Sequence, residues 1–158
     1  MTVPEALKSI SIRPLFVMNL LVKPMLVIGE TPGGFRRIGV VTGGAFEGDR
    51  LSGQVLDGGS DWQLLRRDGS TLLDVRLSLK TNDEELLTLS YRGIRHGPAD
   101  VLKNIDQGIE VDPSHYYFRI NPLFETASRK YDWLNRVIAV GTGHRTSGGP
   151  IYSIFEVL

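Results

Sequence analysis

Residues 61–93 read DWQLLRRDGSTLLDVRLSLKTNDEELLTLSYRG, and this stretch decides the fold. Along 72–80, Leu73, Val75, Leu77 and Leu79 share one face, while Leu72, Asp74, Arg76 and Ser78 share the other. That period belongs to a strand and not to a helix. Asp68-Gly69 separates this run from 61–67, and the pair favours a two-residue hairpin turn. A second turn at 81–84 leads into another strand at 85–93. The three strands form an antiparallel meander.

The same grammar extends outward. Strand-like runs lie at 15–22, 25–28, 34–42, 51–56, 114–120, 136–142 and 151–158. Pro24 forces a bend or an edge between the first two. Eighteen glycines, many in pairs, punctuate the runs as turns. The segment 43–48 reads as a turn or bulge. Residues 98–107 carry the helix signal: Pro98 sits in the first turn, Val101, Leu102 and Ile105 have helical spacing, and Gly108 ends the segment. Residues 131–135 read as a turn of helix, and 1–11 as an N-terminal arm. The expectation is an all-β protein, a single antiparallel β-barrel of about eight to ten strands with one or two short helices, spanning 1–158 as one domain. A barrel is preferred because closure removes exposed edges.

Composition narrows the function classes. Lys+Arg and Asp+Glu are equal at 18 each, which argues against a nucleic-acid partner. There is no cysteine, so disulfides and thiolate metal sites are excluded. The apolar stretch 15–28 is interrupted by Asn19, Lys23 and Pro24 and is too short to span a bilayer. Lys23-Pro24-Met25 also stands where a leader would need small residues for cleavage. No membrane association and a cytoplasmic location are expected. The apolar N-terminal strand pair hints at a homodimer. His96, His115 and His144 lack ligand spacing, so no metal is expected. The glycine pairs lack the lysine ending of a phosphate loop, no Gly-x-Ser-x-Gly elbow occurs, and no cofactor is expected.

Two arrangements of the strand faces remain open. In one, the apolar rows form the core and the polar rows meet solvent. In the other, the polar rows line a small ligand barrel. The second arrangement supplies a site. Asp61 follows the turn Gly58-Gly59-Ser60 and precedes Trp62, and a carboxylate beside an indole can have a raised pKa. The plainer reading makes Asp61 a turn cap and Trp62 core. Glu125 follows the strand carrying Arg119. Arg76, Arg119 and Arg145 converging at one barrel end would suit a planar carboxylate; the plainer reading pairs such arginines with internal acids. Tyr91 and Tyr152 serve either a pocket for an aromatic ligand or the core. The candidate site is therefore Asp61 and Glu125 as proton carriers, with Trp62, Arg76, Tyr91, Arg119, Arg145 and Tyr152 binding a small-molecule ligand. Asp61, Arg76 and Arg119 are expected to share one pocket. Two functions fit: a cofactor-independent isomerase, lyase or hydratase for a small carboxylate-bearing or aromatic metabolite, or a non-catalytic binding barrel or structural oligomer.

Several blocks recur together in order: Gly43-Gly44-Ala45-Phe46-Glu47-Gly48, Gly58-Gly59-Ser60-Asp61-Trp62, Asp74-Val75-Arg76, Tyr116-Tyr117-Phe118-Arg119, Tyr131-Asp132-Trp133-Leu134-Asn135 and Gly141-Thr142-Gly143-His144-Arg145. From about Leu15 to the C-terminus the chain thereby resembles the family called Domain of Unknown Function 3237. The resemblance implies a compact β-barrel-like domain. It implies no reaction and transfers no catalytic residues.

Overall fold

The structure, a computed structural model, describes residues 2–158. Met1, the first residue of the expected arm, lies outside the described residues. The strands are β1 (Ile12–Val22), β2 (Leu26–Thr31), β3 (Gly34–Glu47), β4 (Gly53–Val55), β5 (Gly59–Leu65), β6 (Thr71–Thr81), β7 (Leu86–His96), β8 (Tyr117–Glu125), β9 (Ala139–Thr146) and β10 (Gly149–Val157). One α-helix, α1 (Ala99–Asp106), lies between β7 and β8. Short 3-10 turns occupy Glu5–Leu7, Pro113–His115 and Asp132–Arg136.

All pairings are antiparallel, and the circuit closes when β1 pairs with both β10 and β3. The result is a closed eight-strand barrel with two extra strands. The extra strands arise because two staves are broken. On one side of β3, β1 covers Val41 to Glu47 and β2 covers Gly34 to Ile38, with Pro24 in the break. On its other side, β4 pairs at 44–46 and β5 at 35–41, with Gly58 at positive φ between them. Proline and glycine interrupt a ladder cheaply because one lacks the N–H and the other tolerates φ above zero.

Alternation settles which face is inside. Leu73, Val75, Leu77 and Leu79 are buried, while Asp74, Arg76 and Ser78 are exposed. Of the two arrangements left open, the first holds over most of the barrel: its interior is hydrocarbon and the charged rows meet solvent, since burying a full row of charges would cost far more than leaving it in water. One end is packed by Phe16, Phe46 and Phe124, with ring centroids 5.3 and 5.9 Å from Phe16. Tyr91, Phe118 and Tyr152 form a second aromatic layer at edge-to-face separations of 5.5 and 5.4 Å. Polar side chains gather at the other end, beneath α1.

Three local expectations also need correction. The Asp68-Gly69 turn is not a two-residue loop: Arg66 N–H donates to Ser70 O, and Gly69 takes φ +82°. This is a three-residue loop with a glycine bulge, stabilised where Asp68 accepts from the Ser70 N–H. Residues 43–47 are strand and not turn, with a bulge-like register shift where Leu21 pairs Gly43 and Val22 pairs Val41; Gly44 brings β3 against β1, and a Cβ there would stand 2.1 Å from the Asn19 carbonyl oxygen. Finally, the strand expected at 114–120 does not end there: β8 starts at Tyr117 and runs on to Glu125. The β9 ladder reaches only Arg119 and Ile120, so Pro122 sits beyond it. Outside the barrel, Val17, Leu21, Leu26, Val27 and Ile28 are exposed. Among the described residues, no helix is long and apolar enough to cross a membrane.

Candidate active site at the arginine-lined end of the barrel

Parity selects the site residues. On β5, Gly59, Asp61 and Gln63 point inward, and Trp62 between them must point out. On β7, Tyr91 and Arg95 are inward and buried. Arg37 joins from β3, Arg145 from β9 and Tyr152 from β10. The helix α1 closes the mouth: Ile105 is buried beneath it, and Asp106 caps the polar cluster. Together they line a partly open cavity of about 90 Å³, room for a few waters. Gly39 presents bare backbone to it.

A hydrogen-bonded chain crosses the cavity wall. Gln63 Nε2 donates to Asp61 Oδ2 at 2.6 Å. Arg37 Nε donates to Gln63 Oε1 at 2.7 Å. Arg37 then reaches Asp106 Oδ1 at 3.3 Å, and Arg95 Nη2 approaches the same oxygen at 3.7 Å. The chain leaves three buried polar atoms without a hydrogen-bond partner among the described residues: Asp61 Oδ1, Arg95 Nε and Arg145 Nη1. Buried polar atoms are normally satisfied, so three such atoms around one hollow leave hydrogen-bonding capacity for water or a ligand.

The electrostatics follow from burial. Desolvation pushes the Asp61 carboxyl up to about 6, outweighing the Gln63 bond, the backbone N–H of Asp74 and the Arg95 and Arg37 charges. Burial also raises Tyr91 and Tyr152, with the nearby Asp61 adding to both, so their hydroxyls stay protonated. Arg95 is pulled below the ordinary guanidinium range by burial and then by Arg37. Arg145 is lowered mainly by burial; both stay cationic at neutral pH. Behind Arg145, its backbone N–H donates to Tyr116 Oη at 2.8 Å, and that hydroxyl lies 3.1 Å from His144 Nδ1.

Of the residues singled out from sequence, the cavity brings together Asp61, Tyr91, Arg145 and Tyr152. Four others lie elsewhere, each for a parity reason. Trp62 is 55% exposed, and its indole N–H donates to Ser60 Oγ. Arg76 is on the solvent face of β6. Arg119 is on the solvent face of β8, over the Tyr117 ring at 4.8 Å. Glu125 ends that same outer row. The expectation that Asp61, Arg76 and Arg119 share a pocket is therefore corrected. Sequence reasoning missed Arg37, Gln63, Arg95 and Asp106. Parity was the available signal for Arg95, four residues beyond Tyr91 on one strand. Asp106 could be found only by knowing where α1 docks. Among the described residues, no group of three or more His, Asp or Glu side chains is arranged to hold a metal.

The sequence profile of the family described as "Protein of unknown function (DUF3237)" matches residues 10–157. The chain belongs to this family. Among its DUF3237 relatives, a UPF0311 protein of Rhodopseudomonas palustris is 35% identical over 130 residues, covering 82% of this chain and 85% of the relative. The crystal structure of a conserved protein of unknown function from R. palustris superimposes with a TM-score of 0.92 at 31% identity, covering 95% of this chain and 99% of that one. A crystal structure described as a β-barrel-like protein, from Acinetobacter baumannii, gives 0.83 at 40% identity, covering 95% and 97%. An enzyme from Penicillium herquei shares the DUF3237 barrel shape, with a TM-score of 0.71 over 94% of this chain and 95% of that one. At 21% identity, that likeness shows the fold alone.

Proposed function

We propose that the cavity is the active site of a cofactor-independent proton-transfer enzyme, of isomerase, lyase or hydratase type, acting on a small aromatic or carboxylate-bearing metabolite. One observation carries this reading. Asp61 holds one carboxylate oxygen through Gln63 and leaves the other sealed from solvent, without a partner, in the cavity wall. A carboxyl titrating at about 6 is mostly ionised at neutral pH yet basic enough to take a proton from carbon.

In an isomerisation, Asp61 Oδ1 takes the proton from a carbon next to a carbonyl. The C–H electron pair moves to the carbonyl oxygen, giving an enolate. Protonated Tyr91 or Tyr152 donates a hydrogen bond to that oxygen. Where a C=C is conjugated with that enolate, the electron pair flows back from the oxygen, the double bond shifts, and the proton now on Asp61 is delivered to its far carbon, so the carbonyl and the carboxylate are restored. Every group this cycle needs is a side chain of the cavity wall.

Solvent exchange tests the reading without a known substrate. The protein is incubated in D2O with small enolisable ketones, phenols and carboxylic acids, and each compound is weighed by mass spectrometry. Deuterium incorporation by wild type and not by Asp61→Asn is the expected result. A compound that binds and raises the melting temperature, yet exchanges equally slowly with both proteins, would overturn the enzymatic reading and leave a passive binding barrel.

A further inference from the structure

We propose that Arg95 and Arg145 form a carboxylate subsite, and that Asp106 of α1 is an internal carboxylate which the substrate's own displaces. The inference deepens the proposed function by naming the anionic part of the substrate, and it rests on that reading's cavity.

Three observations carry it. First, the Arg95 side chain is only 7% exposed, lines the cavity, and keeps Nε without a partner. Arg145 lines the same cavity with Nη1 unpartnered. A guanidinium presents parallel N–H groups suited to a planar carboxylate. Second, the charge is unbalanced. Arg37, Arg95 and Arg145 face Asp61 and Asp106, and among these residues Asp106 alone forms an ion pair with any of the three. Arg145 has no salt bridge among the described residues.

Third, Asp106 is poorly suited to where it sits. It is the last residue of α1, where the helix dipole disfavours negative charge. Its carboxylate is 46% exposed, and its approach to Arg95 is a loose 3.7 Å. Such a pair is readily exchanged for a ligand carboxylate lying deeper among the same guanidinium groups. Displacement frees the C-terminal end of α1 from Arg37 and Arg95. A mouth held by the Arg37 and Arg95 contacts of one half-exposed aspartate, and by Ile105, then opens for larger substrates.

The test uses benzoate as probe and benzamide as its neutral isostere, with binding followed by calorimetry on the whole chain. Wild type is expected to prefer benzoate. Arg145→Met is expected to weaken benzoate by roughly tenfold or more and to leave benzamide unchanged. Arg95→Lys keeps the charge but loses the fork, and guards against misfolding of a bolder variant; it should weaken benzoate too. Asp106→Asn removes the competitor and should tighten benzoate several-fold. Equal benzoate affinity in wild type, Arg145→Met and Arg95→Lys would overturn the subsite, and weaker benzoate binding by Asp106→Asn would overturn the displacement. The two proposals fail separately. Arginine-dependent benzoate binding without any deuterium exchange leaves the subsite standing and removes the catalysis. Asp61-dependent exchange with arginine-independent binding does the reverse.

Discussion

Replacing Asp61 with asparagine should make the protein more stable, and only above mildly acidic pH. Asparagine has the shape of the neutral acid. Its carbonyl can still accept from Gln63, and its amide takes the place of the unpartnered Oδ1. The native carboxyl titrates at about 6 against an unfolded value of 3.8, so full ionisation in the folded state costs about 3 kcal/mol at 1.36 kcal/mol per pKa unit. The sign follows from proton counting. Between 3.8 and about 6 the native state holds a proton that the unfolded state has lost, so stability falls as pH rises through this window. Below it, wild type and Asp61→Asn should be equally stable. Above it, the variant should lead by the full amount, roughly 6–12 °C in melting temperature for a chain of this size. Urea titrations of both proteins across the range give the difference directly, and other acids cancel because they titrate in both. A variant less stable than wild type at every pH, or a difference that ignores pH, would refute the placement of Asp61 in a desolvating hollow.

Other substitutions test the frame around the site. Gly44→Ala should cost about 3 kcal/mol or more in urea unfolding, since the added carbon meets fixed backbone of β1 and not a movable side chain. Glu156 is held below its usual value: burial alone would raise it, but bonds from Arg13 and Arg50 prevail. Glu156→Gln should therefore destabilise at neutral pH, with the loss fading as pH drops below 4.5 and the native carboxylate itself protonates. Arg76→Ala and Arg119→Ala should leave benzoate affinity unchanged and shift stability by no more than about 0.5 kcal/mol, as expected of outward-facing side chains.

The architecture was legible because strand parity and turn chemistry are local. The meander at 61–93, the helix after Pro98 and the closing Gly108 follow from neighbouring residues, and barrel closure follows from the need to hide edges. The site was half legible. Asp61, Tyr91, Arg145 and Tyr152 belong to inward rows that a single strand reveals once its inner face is known. Arg76 and Arg119 misled because an arginine between apolar residues looks alike whether it faces lumen or solvent; only the buried partners Val75 and Phe118 decide it. Trp62 misled because adjacency in sequence was read as adjacency in space, which a strand forbids. Asp106 was out of reach, since its place depends on how α1, which begins at Ala99 well after β5 ends at Leu65, packs back across the barrel mouth.

The most direct test of a proton-carrying Asp61 is its own titration curve. With aspartate carboxyl carbons labelled by 13C, the signal missing from Asp61→Asn is followed across pH by NMR. A midpoint at about 6 is the value this account requires. A midpoint at or below the ordinary 3.8 would mean a solvated or tightly paired carboxylate, and would contradict it.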